Sequence, residues 1–189
     1  MKNLLTIVVN GNARGNQAAS LYDGIEFIYP EKNETEKDFI LRAAKNATGK
    51  YSILLDQKFR FADVSSLLNI LDKNAYDTVS FNGGTAIKTS IVKSAVKDCV
   101  DLFSCFILSI LSCKTLLKSL YIPFIFESGE IAFTEENYNG ILMSAEAFGA
   151  MKSKLSKDLY SQTLNALCTR LTSFYLYAMI SIKTGSWDG

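Results

Sequence analysis

The chain has 189 residues, of which 48% are hydrophobic, 21% are charged and only two are proline, a composition that suits a globular protein with one substantial core. Its 20 basic and 19 acidic residues leave a net charge of +1, so no general attraction to nucleic acid is expected. Histidine is absent, which excludes His-based triads, imidazole metal ligands and imidazole acid–base chemistry and leaves carboxylates, Lys, Tyr, Cys and Ser/Thr as candidate catalysts.

Leu4 to Val9 (LLTIVV) is a continuous apolar run stopped by Asn10-Gly11-Asn12, the pattern of a buried parallel strand ending in a turn. Ile25 to Tyr29 (IEFIY) reads as a second strand, ended by Pro30. Thr35 stands where an N-cap would, with Glu36 and Asp38 in the first turn of a helix whose apolar stripe is Phe39, Ile40, Ala43 and Ala44. Gly49 stops that helix, and Tyr51 to Leu55 (YSILL) makes a third strand with Asp56 at its C-terminal tip. Asp63 is expected to cap a helix that buries Val64, Leu67, Leu68 and Leu71, and Ala75 to Phe81 gives a fourth strand entering Gly83-Gly84.

The longest apolar region, Val100 to Phe126, is broken by Asp101, Lys114, Lys118 and Pro123, and its uninterrupted span from Leu102 to Cys113 is too short to cross a bilayer. The expectation is no transmembrane segment but a buried helix from about Asp101 to Leu120, followed by a last strand, Tyr121 to Glu127 (YIPFIFE). From Thr134 onward the periodicity is helical only, with Tyr138, Ile141, Leu142, Ala145 and Phe148 on one segment and Leu155, Leu159, Leu167, Leu171, Phe174 and Ala178 on a longer one. Cys99, Cys105, Cys113 and Cys168 lack C-x-x-C spacing, so reduced, mostly buried thiols are expected rather than a disulfide framework or a zinc site. No charged stretch followed by an apolar run and a small-residue cleavage site opens the chain, which makes a cytoplasmic location the default. Alternating strand and helix signals predict an α/β protein with a three-layer, mostly parallel sheet. It forms a single domain, with a core over residues 1–132 and a helical C-terminal extension over 133–189.

Three stretches carry a further likeness: AAKNATGKYSILLDQK (Ala43 to Lys58), FNGGTAIKTSIVKSA (Phe81 to Ala95), and DCVDLF (Asp98 to Phe103) followed by LLKSLYIPFIFE. In this order they resemble segments of family 2 glycosyltransferases, of the GT-A (Rossmann-like) fold, over about Ile25 to Glu127. The first is similar to a strand that delivers a metal-binding Asp-x-Asp, the second to a glycine-pair loop beside the donor sugar, and the third to an E-D-x-D-L helix and its trailing strand. The resemblance implies a nucleotide-sugar or related phosphorylated ligand near Asp56, Lys58, Gly83 and Gly84, and inverting transfer with Asp98 as general base.

The chain departs from that pattern in three places. Only fifteen residues separate Val9 from Ile25, where the family has a helix and a strand bearing an aspartate for the nucleotide base, and only Asp23 and Glu31 stand nearby. Lys58 replaces the second aspartate of the metal motif; an ammonium there repels a divalent ion, so Mn or Mg dependence of the ordinary kind is not expected. The E-D pair aligns in two ways, with Asp98 as the base, or with Asp98 as the glutamate and Cys99 as the base.

Each candidate also has an ordinary structural use. Asp56 suits a turn after a strand, Lys58 a solvated surface or a contact to a diphosphate, the glycine pair a simple turn, and Asp98 the N-cap of the long apolar helix. Glu127, Glu130, Glu135 and Glu136 suit a helix start capped by Thr134. Tyr160, Phe174, Tyr175 and Tyr177 lie on more than one helix face, which leaves room for a homodimer through the C-terminal helices. Two functions follow: a small transferase, or a catalytically inactive GT-A module for binding or assembly.

Overall fold

The computed structural model describes residues 3–10, 23–55, 59–61, 65–73, 75–81, 84–118, 124–126 and 133–184. The first half comprises β1 (Leu5–Val9), β2 (Ile25–Ile28), α1 (Glu36–Asn46), β3 (Tyr51–Leu55), β4 (Phe59–Phe61), α2 (Ser65–Lys73), β5 (Thr78–Phe81) and β6 (Gly84–Lys88). The second comprises α3 (Thr89–Ala95) with a 3-10 turn at Val96–Asp98, α4 (Leu102–Leu111), β7 (Leu116–Lys118), β8 (Phe124–Phe126), α5 (Glu135–Met151), a second 3-10 turn at Lys152–Lys154 and α6 (Lys157–Thr184).

The architecture is α/β, with a six-stranded sheet in the order β2-β1-β3-β6-β5-β7 and a separate two-stranded sheet, β4-β8. The large sheet is mixed rather than parallel throughout. β1 pairs in parallel with β2 and β3, and β5 with β7, whereas β6 runs against both of its neighbours. Both faces are covered, which is why β1 reads as an unbroken apolar run. Leu5, Ile7 and Val9 of β1 join Ile53, Val79 and Phe81 under Leu67 and Leu71 of α2. On the other face Val8, Ile28 and Ile87 pack against Phe39, Ile40 and Ala43 of α1, Val92 of α3 and Cys105 of α4. The C-terminal helices form an outer layer, in which Phe148 of α5 and Leu167 of α6 close over Ile107 and Leu111.

Several elements follow the sequence closely. Thr35 caps α1 by accepting the Asp38 N–H at 3.1 Å, and Thr134 forms a capping box with Asn137 ahead of Glu135 and Glu136. Cys99, Cys105 and Cys113 are buried, Cys168 is exposed, and all four are free thiols. Among the described residues no helix is long and apolar enough to cross a membrane.

Other expectations are corrected. The helix expected to reach Leu120 stops at Leu111, and Leu116–Lys118 becomes an edge strand beside β5. The cause lies 37 residues back, where Asp77 Oδ2 accepts the N–H groups of Lys114 (2.9 Å) and Thr115 (3.2 Å) and draws the chain into the sheet. Asp98 does not cap α4; Asp101 does. The YIPFIFE run contributes Phe124–Phe126, which pairs with β4 rather than extending the main sheet. The fourth strand begins at Thr78, and Gly84 opens β6, a strand not expected from the sequence. Asp63 and Val64, expected at the start of α2, lie outside the described residues, as do Glu127 and Glu130.

Candidate functional site at the strand ends

Strand direction places the described neighbours of most of the candidates. β1, β2, β3, β5 and β7 finish at one end of the sheet, where β6 begins. At that end the N–H of Asn10, just past β1, donates to the Leu55 carbonyl at 2.8 Å. The residue that follows is Asp56. Asp56, Lys58 and Gly83 lie outside the described residues, so their neighbours define the site.

The ladder between β3 and β6 covers two pairs, Tyr51↔Lys88 and Ser52↔Ile87. Toward the finishing end β3 stays paired with β1 through Leu55, and β6 stays paired with β5 through Gly84. The sheet therefore has a seam between β3 and β6, at the carboxyl end of β3. Open α/β sheets bind ligands at such places. Gly84 opens β6 opposite Phe81; a Cβ there would lie 2.7 Å from the Phe81 ring, so the close approach of ring and backbone requires glycine.

The route to Asp98 is equally direct. α3 starts immediately after Lys88, at the far end of the sheet, and packs back across it through Val92 and Val96, which carries the 3-10 turn toward the finishing end. Asp98 closes that turn and is exposed. Cys99 is 3% exposed and donates its Sγ–H to the Val96 carbonyl at 3.0 Å. Of the two alignments of the E-D pair, only the one with Asp98 as base presents a group to solvent. Cys105, beside Cys99, has its thiol pushed well up by that neighbour and by burial.

Asp101 does structural work. It is fully buried, its Oδ1 accepts the Ser104 N–H at 2.8 Å and its Oδ2 accepts from Asn137 of α5 at 3.4 Å. Glu36 of α1 takes the Leu102 N–H at 2.8 Å. Burial, only partly opposed by that N–H and reinforced by the charge of Asp101, holds the Glu36 carboxyl above its ordinary pKa. Gly140 of α5 faces this knot, and a Cβ there would run into the Asp101 carboxylate. Sequence reasoning passed over Asp101 as a cap, although Asp-x-x-Ser ahead of an apolar run resembles a capping signal.

The opposite end of the sheet carries a cavity of about 540 Å³, lined in part by Thr48, Lys50, Asp72, Lys88, Thr89 and Lys93. None of the candidates read from the sequence lines it. Lys50 Nζ donates to the Leu71 carbonyl at 3.1 Å and Lys88 pairs with Asp77 at 2.8 Å, so two of its lysines tie elements together. Among the described residues no three His, Cys, Asp or Glu side chains cluster as metal ligands would. Comparison with known proteins returns no match, whether to a protein-family model, a curated protein or a solved structure.

Proposed function

We propose that this chain is a glycosyltransferase-like protein of the family 2, GT-A type, which binds a nucleotide-sugar or related phosphorylated ligand at the finishing end of β3. One observation carries the reading: the seam between β3 and β6 lies where Leu55 leads into Asp56 and Gly84 opens β6, with exposed Asp98 closing a turn at the same end. The order of the three matched stretches along the chain supports it independently. In this reading Lys58, standing where a second acidic ligand would be, offers its ammonium to the diphosphate as a point charge, so donor binding needs no divalent metal. Asp98 removes the proton from the acceptor hydroxyl during inverting transfer.

A thermal-shift screen with UDP, GDP, CDP, dTDP and their common sugars, each with and without manganese or magnesium, tests the proposal. A nucleotide at one hundred times its dissociation constant stabilises by about 2.7 kcal/mol, a shift of roughly 5 to 10 °C at this chain length. The expected result is such a shift with one nucleotide, unchanged by metal and lost in Lys58→Ala. No shift with any nucleotide overturns it.

A second reading, an inactive module with the same fold, is favoured by Lys58 and by the short link between β1 and β2, which pair directly with each other. Nucleotide binding without transfer to any acceptor selects it.

A further inference from the structure

The outer half of α6 exposes a stripe that none of the described residues covers. Leu164, Cys168, Leu171, Tyr175, Met179 and Ile182 follow one another at spacings of four, three, four, four and three residues, which keeps them on one side of the helix over about 27 Å. The five large side chains are 36% to 63% exposed. The adjoining side of the same turns faces the body: Leu167 is buried, and Phe174 and Tyr177 pack on the Phe133 ring at centroid distances of 5.4 and 5.5 Å. A helix apolar on both sides is stable in water only when both are covered.

We infer that this stripe is the interface of a homodimer, in which α6 packs antiparallel against α6 of a second copy. Three features choose that occupant. The stripe is nearly palindromic about position 173, so an antiparallel two-fold sets Leu171 of one copy against Tyr175 of the other and Leu164 against Ile182, the self-complementarity an isologous contact needs. The five large side chains of the stripe present on the order of 500 Å², so two copies together reach the roughly 1,000 Å² that a specific interface must clear. The only charged residue from Leu159 to Ile182 is Arg170, whose guanidinium lies over the Phe103 and Phe133 rings at 5.4 and 4.7 Å. A helix seated on a lipid surface carries its Lys and Arg on the water-facing side, whereas this stripe has none to offer an anionic headgroup, and the net charge of +1 sets up no strong repulsion between copies.

Sedimentation equilibrium of the full chain from about 1 to 100 µM, with and without anionic phospholipid vesicles, tests the inference. The expected result is a species of twice 20.9 kDa whose dissociation constant rises at least about a hundredfold in the double variant Leu171→Glu/Tyr175→Glu and is unchanged in Lys154→Glu, an exposed site away from the stripe. Circular dichroism should find the helix content unchanged. If the double variant fails to fold, the wild-type melting temperature decides, since it must rise with protein concentration for a dimer. A wild type that stays monomeric, a dimer that survives the double substitution, a melting temperature independent of concentration, or a monomer that sediments only with the vesicles would each overturn the homodimer.

Discussion

At the end of the sheet where β1 and β3 start, polar groups interlock across elements. The Thr6 hydroxyl donates to Glu26 at 2.7 Å and accepts the Gly49 N–H at 2.9 Å, while Glu26 also takes the Thr48 N–H at 2.9 Å. A few residues away Asp77 joins Lys88 of β6 to the turn before β7. At the finishing end the β3–β6 ladder has run out and Asp98 stands exposed. One reversed strand in the middle of the sheet thus closes the strand ladders at one end, beside the cavity, and leaves a seam at the other. Fold-holding residues collect at the closed end and the described candidates Gly84 and Asp98 at the open one, so substitutions at the two ends should separate stability from the proposed function.

The strongest test of the closed end is Gly49→Val. A Cβ at Gly49 would lie 2.5 Å from the Thr6 backbone nitrogen and 2.7 Å from the Leu5 carbonyl carbon, so backbone must move. We expect a loss of about 3 kcal/mol, or roughly 6 to 12 °C in melting temperature. A variant melting within 2 °C of wild type would mean that the end is not closed as described.

Asp77→Asn should cost less, about 1 to 2 kcal/mol, because both charges of the pair are partly solvated. Its signature is pH dependence. Burial raises the Asp77 pKa, but the Lys88 ammonium and the Lys114 and Thr115 N–H groups outweigh it, and the net value is lowered. Stability from a lowered carboxylate pKa is present above the unfolded value, near 4, and is lost as pH falls through the folded one. The wild-type advantage over Asp77→Asn in chemical denaturation should therefore hold at neutral pH and shrink below about pH 4. A gap that stays constant into acid would remove the ion pair from the account.

The smallest stability effect, and the sharpest functional one, belongs to Asp98→Asn at the open end. The residue is exposed and caps no helix, so stability should change by less than about 0.5 kcal/mol. On the proposed function, nucleotide binding should persist while transfer is abolished. Equal turnover in variant and wild type would end the assignment of Asp98 as base.

Much of the first half of the fold was legible. β1, α1 and β3 declare themselves through a continuous apolar run, a Thr cap with acidic residues behind it, and a second run after glycine. The reason for that glycine was not legible, because Gly49 answers to Thr6, 43 residues away. β6 escaped for a local reason: Gly84–Lys88 flows without a break into α3, although Asn82-Gly83 between Phe81 and Gly84 is the dipeptide most favoured in two-residue hairpin connections. β7 could not have been read locally at all, since its three residues continue an apolar helical pattern until Asp77 captures the preceding turn. At the candidate site, the sequence supplied Asp98 and Gly84, while the expected cap of α4 fell on Asp98 rather than Asp101. Asp101 holds that place through Ser104, three residues on, and is tied to α5 through Asn137.

The sequence by itself determined the class of the protein, the period and buried face of most elements, the free thiols and the absence of histidine chemistry, because these depend on residue type and local spacing. Only the tertiary structure decided that β6 runs backwards, that the sheet parts between β3 and β6, and that the described residues leave one side of α6 uncovered. Strand direction, pairing and coverage arise from contacts between residues far apart in the chain, and a local pattern fixes which face must be buried without naming what buries it.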